Sequence, residues 1–433
     1  MPDSLIAVPL AGWRDPASVF ASIAAESPDC FWLDAGPEAA AGWSWVGSGA
    51  VEDRPERVRA VAVAQAPAPR EEAGAFRGGW IGWLGYEDAA ARAGAPVSVA
   101  DAEVPAERWL RVEHFVAFDH ASRRVWAVAP AADAPAFAAR VAAADGRLPT
   151  VEPVPVEAVA RHTPLAYAAL IERCRDAIRE GDAYQLCLTT RFAVTTAVDP
   201  VAAFARLRSR TPAHHGGLLR SGDVALASAS PERFLEVEDG VVRTRPIKGT
   251  RPRGADAQTD AALAAELRGS EKERAENIMI VDLMRNDLSR VCEPGSVGVD
   301  GLLEIESYPA VHQLVSTVSG ALRAGTTVGD LLDATFPAGS MTGAPKLSAM
   351  TILHDLESGP RGVFAGCFGW VGDDGALDLA MVIRSIVVHP GGAYVGAGGG
   401  ITWRSDAAAE VAEVGVKARG PLAAIGANLP LGW

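Results

Sequence analysis

Strand-like segments arrive in runs, and this constrains the fold of the chain more than any other feature. "AYQLCLTTRFAVTT" is followed by "DVALASASPERFLEVEDGVVRTRPI", which reads as paired strands with a turn at Asp239-Gly240. Near the end, "GVFAGCFGWVG", "ALDLAMVIRSIVVHP" and "GAYVGAGGGITW" again look like strands of one sheet. Helices fall between the runs instead of after each strand. That order argues for an α+β fold and against a regular βαβ succession. With 49% hydrophobic residues among 433, there is ample material for a buried core.

The clearest helix is "TPLAYAALIERCRDAIREG". Thr163 is placed to cap it, Pro164 suits the first helical position and Gly181 the end. Tyr167, Leu170, Ile171, Cys174, Ala177 and Ile178 form one apolar stripe. Two segments read as linkers, 63–76 and the proline-rich 146–164. The second carries the expected main boundary, between an N-terminal region at 1–150 and a C-terminal region at 160–425.

Composition excludes several classes. No run of eighteen apolar residues occurs, so no membrane span is expected. The start "MPDSLIAVPLAGWRDP" does not read as a signal peptide. Five scattered cysteines with no CxxC pair argue against a disulfide framework or zinc site, and a reducing cytoplasm is the expected compartment. A net charge of −14 and a pI near 5.1 argue against general nucleic-acid binding.

Against that acidity, "RTRPIKGTRPRG" (243–254) packs four arginines and one lysine into twelve residues. It reads as a solvated basic loop, as a phosphate contact, or as an arginine scaffold around a chemical Lys248. A lysine beside Ile247 can be desolvated and serve as nucleophile or base, with Arg245 and Arg251 disfavouring a further positive charge. Glu232, in "SASPERFLEV", is a candidate acid–base partner.

Two helices carry paired acids. Ser270 and Glu273 form a capping-box pattern opening "EKERAENIMIVDLMRNDLSR", where Glu273 and Glu276 share a face. A second helix opens near Asp406, with Glu410, Glu413 and Lys417 on one face. The pairs are either solvated faces or an oxygen-rich site for Mg²⁺. Gly398, Gly399 and Gly400, just before that helix, read as a tight turn or as backbone open to an anion. "FPAGSMTGAPKLSAM" fails as a P-loop but can line a pocket through Ser340 and Thr342. "DLMRNDLSR" reads as a structural polar network.

Together these motifs resemble the chorismate-utilising enzymes, over roughly residues 160–420: "SPERFL", "PIKGTRPRG", "KERAENIMIVDLMRNDLSRVCEPGSV", "GSMTGAPK", "VIRS", "AGGGI" and "EVAEVGVKA" stand in the family's order. "FWLDAG", "GWSWVG" and "GGWIGWLGYE" resemble its N-terminal region more loosely. The resemblance implies a large antiparallel-sheet sandwich with flanking helices. It implies that Glu273, Glu276, Glu410 and Glu413 surround Mg²⁺ at the ring carboxylate of chorismate. It implies that Lys417, Gly398 to Gly400 and Arg384 bind carboxylates, and that Ser340 and Phe364 line the pocket. Glu232 would act at the departing hydroxyl.

Within the family, anthranilate synthases carry alanine where this chain has Lys248. The lysine is that of the aminodeoxychorismate synthases, in which it attacks C2 and ammonia enters at C4, giving the precursor of p-aminobenzoate on the way to folate. Isochorismate and salicylate synthases place a water-activating lysine at Gln185, so water is not the expected nucleophile. Gln313 replaces the histidine of anthranilate synthases, with His312 offset by one. Phe364 and Trp370 stand where relatives have Tyr or other aromatics. "FWLDAG" differs from the "LLES"-type segment of tryptophan-sensitive members. The implied partner is a separate glutamine amidotransferase subunit, in a heterodimer.

Overall fold

The computed structural model describes residues 5–63, 73–308 and 311–433, so residues 64–72 of the first linker-like segment lie outside it. The strand Cys30–Asp34, sequence CFWLD, is buried at every position. Phe31 and Leu33 enter one core cluster; Cys30 and Trp32 enter another. Successive strand side chains point to opposite faces, so a strand that is apolar throughout needs cover on both.

Its sheet is antiparallel. From one edge it runs through Leu5–Pro9, Arg124–Pro130, Glu107–Asp119, Trp43–Val51, Cys30–Asp34, His215–Ser221, Val224–Ser230, Ser385–His389, Gly392–Ile401 and Gln185–Val194. The same hydrogen-bonded sheet turns over at Glu107–Asp119 into a second layer, called here the second sheet, which covers one face. It runs through Glu107–Asp119, Gly79–Leu84, Cys367–Gly372, Leu377–Met381, Arg233–Glu238, Val241–Thr244 and Val311–Ala321. The strands Ile247–Pro252 and Gly298–Ser307 flank Val311–Ala321. Phe31, Leu226 and Tyr394 of the first sheet share a core with Trp83, Phe234 and Leu379 of the second. Helices cover the first sheet's other face, contributing Phe20, Tyr167, Phe204, Leu353 and Val414. This is the expected sandwich with flanking helices.

The chain changes sheets at "SPER", between Val224–Ser230 and Arg233–Glu238, which puts Glu232 at the corner. Cys30–Asp34 pairs with His215–Ser221, and Gly79–Leu84 with Cys367–Gly372, so strands from both sides of 146–164 are joined edge to edge.

Local signals are realised closely. The Pro164–Glu180 helix starts with Thr163 accepting from Ala166 N–H and ends at Gly181 with φ 92°. Asp239 and Gly240 have φ of 53° and 73°, the left-handed pair that a tight hairpin requires. The helices Glu271–Ser289 and Ala407–Ala424 begin after Ser270 and Asp406, as expected. The strand read in "GAYVGAGGGITW" is found, and the tight-turn alternative for Gly398 to Gly400 is corrected. They lie inside the strand Gly392–Ile401, each opposite a residue of Gln185–Val194. A Cβ at Gly398 would stand 2.4 Å from the Leu188 carbonyl oxygen, so the close approach of two strands explains that glycine.

Candidate active site

The sheet-changing corner buries Glu232, which is 8% exposed. Burial pushes its carboxyl above the ordinary glutamate range; Lys248, a Ser340 hydroxyl hydrogen bond and Lys417 oppose this without reversing it. Ser340 is buried in the short helical turn Gly339–Met341. Thr342 is fully buried too, but its hydroxyl donates to Ala338 C=O and not into the site. Lys248 sits on the strand Ile247–Pro252 and has no hydrogen-bond or ion-pair partner among the described residues. Its charge acts on Glu232, Glu276 and Glu413, so it faces the centre of the expected site.

The arginines around Lys248 are occupied. Arg243 lies 4.0 Å from Glu236, Arg245 pairs with Glu306, Arg251 pairs with Glu266 and Glu273, and Arg253 pairs with Asp260. The basic stretch is a scaffold of ion pairs around one free lysine. The expected influence of Arg245 and Arg251 on Lys248 is corrected accordingly: carboxylates neutralise both. Arg251 also draws on Glu273, so Ser270 accepts from Glu273 N–H while the reciprocal half of the capping box is not made.

Lys272, a residue the sequence reading passed over, spans the two carboxylate-bearing helices. Its ammonium is 3.3 Å from Glu410 Oε1 and 3.9 Å from Glu276 Oε1. Glu276 Oε1 is buried with no hydrogen-bond partner, and burial raises the Glu276 carboxyl. Glu413, at the exposed mouth, is 2.7 Å from Lys417. Burial works to raise its carboxyl, but Lys417 and Lys272 hold it low. Among the described residues no three acidic, His or Cys side chains converge on one point. The donors are nevertheless all carboxylate oxygens, one is an orphan, and two already share a cation. These residues fit a hard divalent ion.

Lys417 also donates to the Gly398 carbonyl at 2.9 Å. Gly399 faces the same acids, since a Cβ there would lie 3.2 Å from Glu410 Oε2. Next along, a Cβ at Gly400 would meet Gln185 Nε2 at 2.4 Å. Gln185 is fully buried, and neither side-chain polar atom has a partner, which points to a ligand group. Arg384 follows the strand Leu377–Met381 with φ 53°; it is half-buried, has no ion pair among the described residues, and burial lowers its pKa. Such strained backbone persists where its surroundings hold it. The Phe364 ring packs on Gly396, where no Cβ would fit. His312 turns away to Ser307 and Asp260, whereas Gln313 Oε1 is buried and unpartnered. In "DLMRNDLSR", Asp287 makes a buried pair with Lys346 at 2.7 Å, bearing out a structural role.

A cavity of about 510 Å³ lies elsewhere. It takes Pro231 and Arg233 but not Glu232, and its walls include Trp43, Trp45, His214, Tyr308 and Trp370. Leu33, Asp34 and Ala35 of "FWLDAG" line it as well. Trp370 therefore belongs to this cavity, whereas Phe364 packs on the glycine-rich strand.

A family model described as chorismate binding enzyme matches residues 13–423. The chain belongs to the chorismate binding enzyme family. This chorismate binding enzyme is 41% identical to an aminodeoxychorismate synthase of Streptomyces pristinaespiralis, over 81% of the chain and 51% of that protein. It thus spans about half the length of that relative, and of a second from Streptomyces griseus. It is 39% identical to aminodeoxychorismate synthase component 1 of Klebsiella aerogenes, over 78% of the chain and 75% of that protein. Among solved structures, anthranilate synthase component I from Streptococcus pneumoniae superposes with a TM-score of 0.76 at 29% identity, covering 97% of this chain and 92% of that one. Among the described residues of this chorismate binding enzyme, no helix is long and apolar enough to cross a membrane.

Proposed function

We propose that this chain converts chorismate and ammonia to 4-amino-4-deoxychorismate, using ammonia released by a separate glutamine amidotransferase subunit. One observation carries the reading: Lys248, at the position that separates family members, is free of partners and faces Glu232 and the acidic helices. The names of the Streptomyces and Klebsiella relatives support the same product, and "component 1" in the latter supports a second subunit. Five cysteines held as buried free thiols suit a reducing cytoplasm.

In this reading Lys248 attacks C2 of chorismate as the 4-hydroxyl departs. Glu232, whose burial favours the protonated form, gives the hydroxyl its proton, and Ser340 orients that carboxyl. Ammonia then enters at C4 and expels the lysine. Lys417, Arg384 and the backbone at Gly398 to Gly400 hold substrate carboxylates, and Phe364 forms an apolar wall. Glu273, Glu276, Glu410 and Glu413 would hold Mg²⁺, which supplies positive charge for the ring carboxylate when bound. Gln185 cannot activate water as a base, so it leaves C2 to the lysine.

The test is the purified chain with chorismate, Mg²⁺ and ammonium salt, its product identified by mass and chromatography. 4-Amino-4-deoxychorismate is the expected product, and glutamine should replace ammonium only when a glutaminase subunit is added. Anthranilate as the product would assign the chain to the anthranilate synthases instead.

A further inference from the structure

Lys272 stands in an unexpected place. It lies in the first turn of the Glu271–Ser289 helix, the end whose dipole disfavours cations. The helix itself therefore does not explain a lysine here; the acids do. Its ammonium reaches Glu276 on its own helix and Glu410 on the helix Ala407–Ala424. Both glutamates are buried, 7% and 3% exposed, and Glu276 Oε1 has no hydrogen bond to replace water. Two buried carboxylates facing one another repel strongly unless a cation lies between them.

We propose that Lys272 is the resident counter-cation of this carboxylate site, and that a divalent ion binds by displacing it. The inference rests on the proposed Mg²⁺ site. Two lysines touch the acids, and they differ in how firmly they are held. Lys417 is doubly anchored, to Glu413 at 2.7 Å and to the Gly398 carbonyl at 2.9 Å. Lys272 is anchored only by the acids, at longer distances, and its side chain is 47% exposed. A flexible four-carbon stem of that kind swings its head into water at little cost. Metal binding is then an exchange of one cation for another, not the filling of a gap. The lysine keeps the helices together while metal is absent and weakens metal affinity as a consequence.

Lys272→Met keeps the stem and removes the charge. Calorimetric titration of the full chain with Mg²⁺ is expected to show roughly tenfold tighter binding by this variant than by wild type. Without metal its melting temperature should fall below that of wild type, and added Mg²⁺ should raise it by more. Lys272→Gln, a smaller polar change, is expected to move both readouts the same way. Lys272→Arg, which keeps the charge, should bind Mg²⁺ no tighter than wild type. Glu276→Gln separates the two readings. If it abolishes Mg²⁺ binding while Lys272→Met and Lys272→Gln bind no tighter than wild type, the exchange is overturned and the metal site stands. If wild type itself takes up no Mg²⁺, the metal site fails and the exchange with it.

Discussion

Lys248 and Glu232 divide the chemistry between a lysine with no partner among the described residues and a buried carboxyl, and each role makes a distinct demand. If Lys248 is the nucleophile, incubation with chorismate and Mg²⁺ without ammonia should leave the protein heavier by chorismate less water. Intact-mass spectrometry should find that adduct in wild type and not in Lys248→Ala, whose amination rate should fall by at least about a hundredfold. An unmodified wild type together with a competent Lys248→Ala would rule the covalent route out. Glu232 is held above its ordinary range by burial, so the folded chain grips this proton more tightly than the unfolded chain does. Its contribution to stability is favourable below about pH 4.3 and is lost as pH rises through the raised folded value. Glu232→Gln should therefore melt at a higher temperature than wild type at pH 8, by roughly 1–3 kcal/mol of stability, while losing activity. Equal melting at pH 8 would mean that the carboxylate is not under strain. The basic stretch shows what sequence can offer at this scale. Four arginines and a lysine could be sorted into scaffold and reagent only once Glu236, Glu306, Glu266, Glu273 and Asp260 were seen beside the arginines. Only Glu236 is placed by local sequence, opposite Arg243 across the Asp239-Gly240 hairpin; the other carboxylates are not, and Lys272 has its partner Glu410 138 residues away.

Helix signals were legible because capping is local. Ser270, Asp406, Thr163 and Gly181 each act within a few residues, and each helix begins or ends where its cap stands. The glycine run was legible as part of the strand "GAYVGAGGGITW", but the same three residues also read as a tight turn. Three glycines have no strand preference of their own, and what makes them a strand is the neighbouring strand Gln185–Val194. Between elements a demanding contact is the ion pair Asp287–Lys346, which ties the Glu271–Ser289 helix to the Lys346–Glu357 helix. Burial raises the Asp287 carboxyl and Lys346 opposes it; Lys346 also donates to the Thr335 carbonyl at 3.0 Å. Removing one partner leaves an uncompensated buried charge. Asp287→Ala should cost about 3–5 kcal/mol, and adding Lys346→Met should recover much of it. Denaturant unfolding of the two single variants and the double variant measures the coupling, and additive losses would show that the pair does not act as a unit.

At the scale of the molecule, the sequence suggested two regions, whereas the strand pairing makes them depend on each other. Cys30–Asp34 lies between Trp43–Val51 and His215–Ser221, and Gly79–Leu84 lies between Glu107–Asp119 and Cys367–Gly372. A linker rich in proline and valine says nothing of such pairing, because it is set by contacts far apart in the chain. The consequence can be tested with a fragment of residues 151–433. It keeps every residue assigned to the chemistry, but His215–Ser221 and Cys367–Gly372 each lose a neighbour and present open edges. Phe31, Trp83 and Phe115 would leave the core between the sheets, and Trp32, Val116 and Phe118 the core beneath the helices. Each aromatic side chain removed from a core costs about 3–5 kcal/mol, so losing the five aromatics alone is enough to outweigh the roughly 5–15 kcal/mol that holds a typical domain folded. The fragment should show no cooperative thermal transition and should bind a hydrophobic dye. Co-expression with residues 1–150 should restore both a sharp transition and Mg²⁺ binding. A fragment that melts cooperatively on its own, near the temperature of the whole chain, would show that the C-terminal region is an independent unit and that the shared sheets are not what holds Glu232 at its corner.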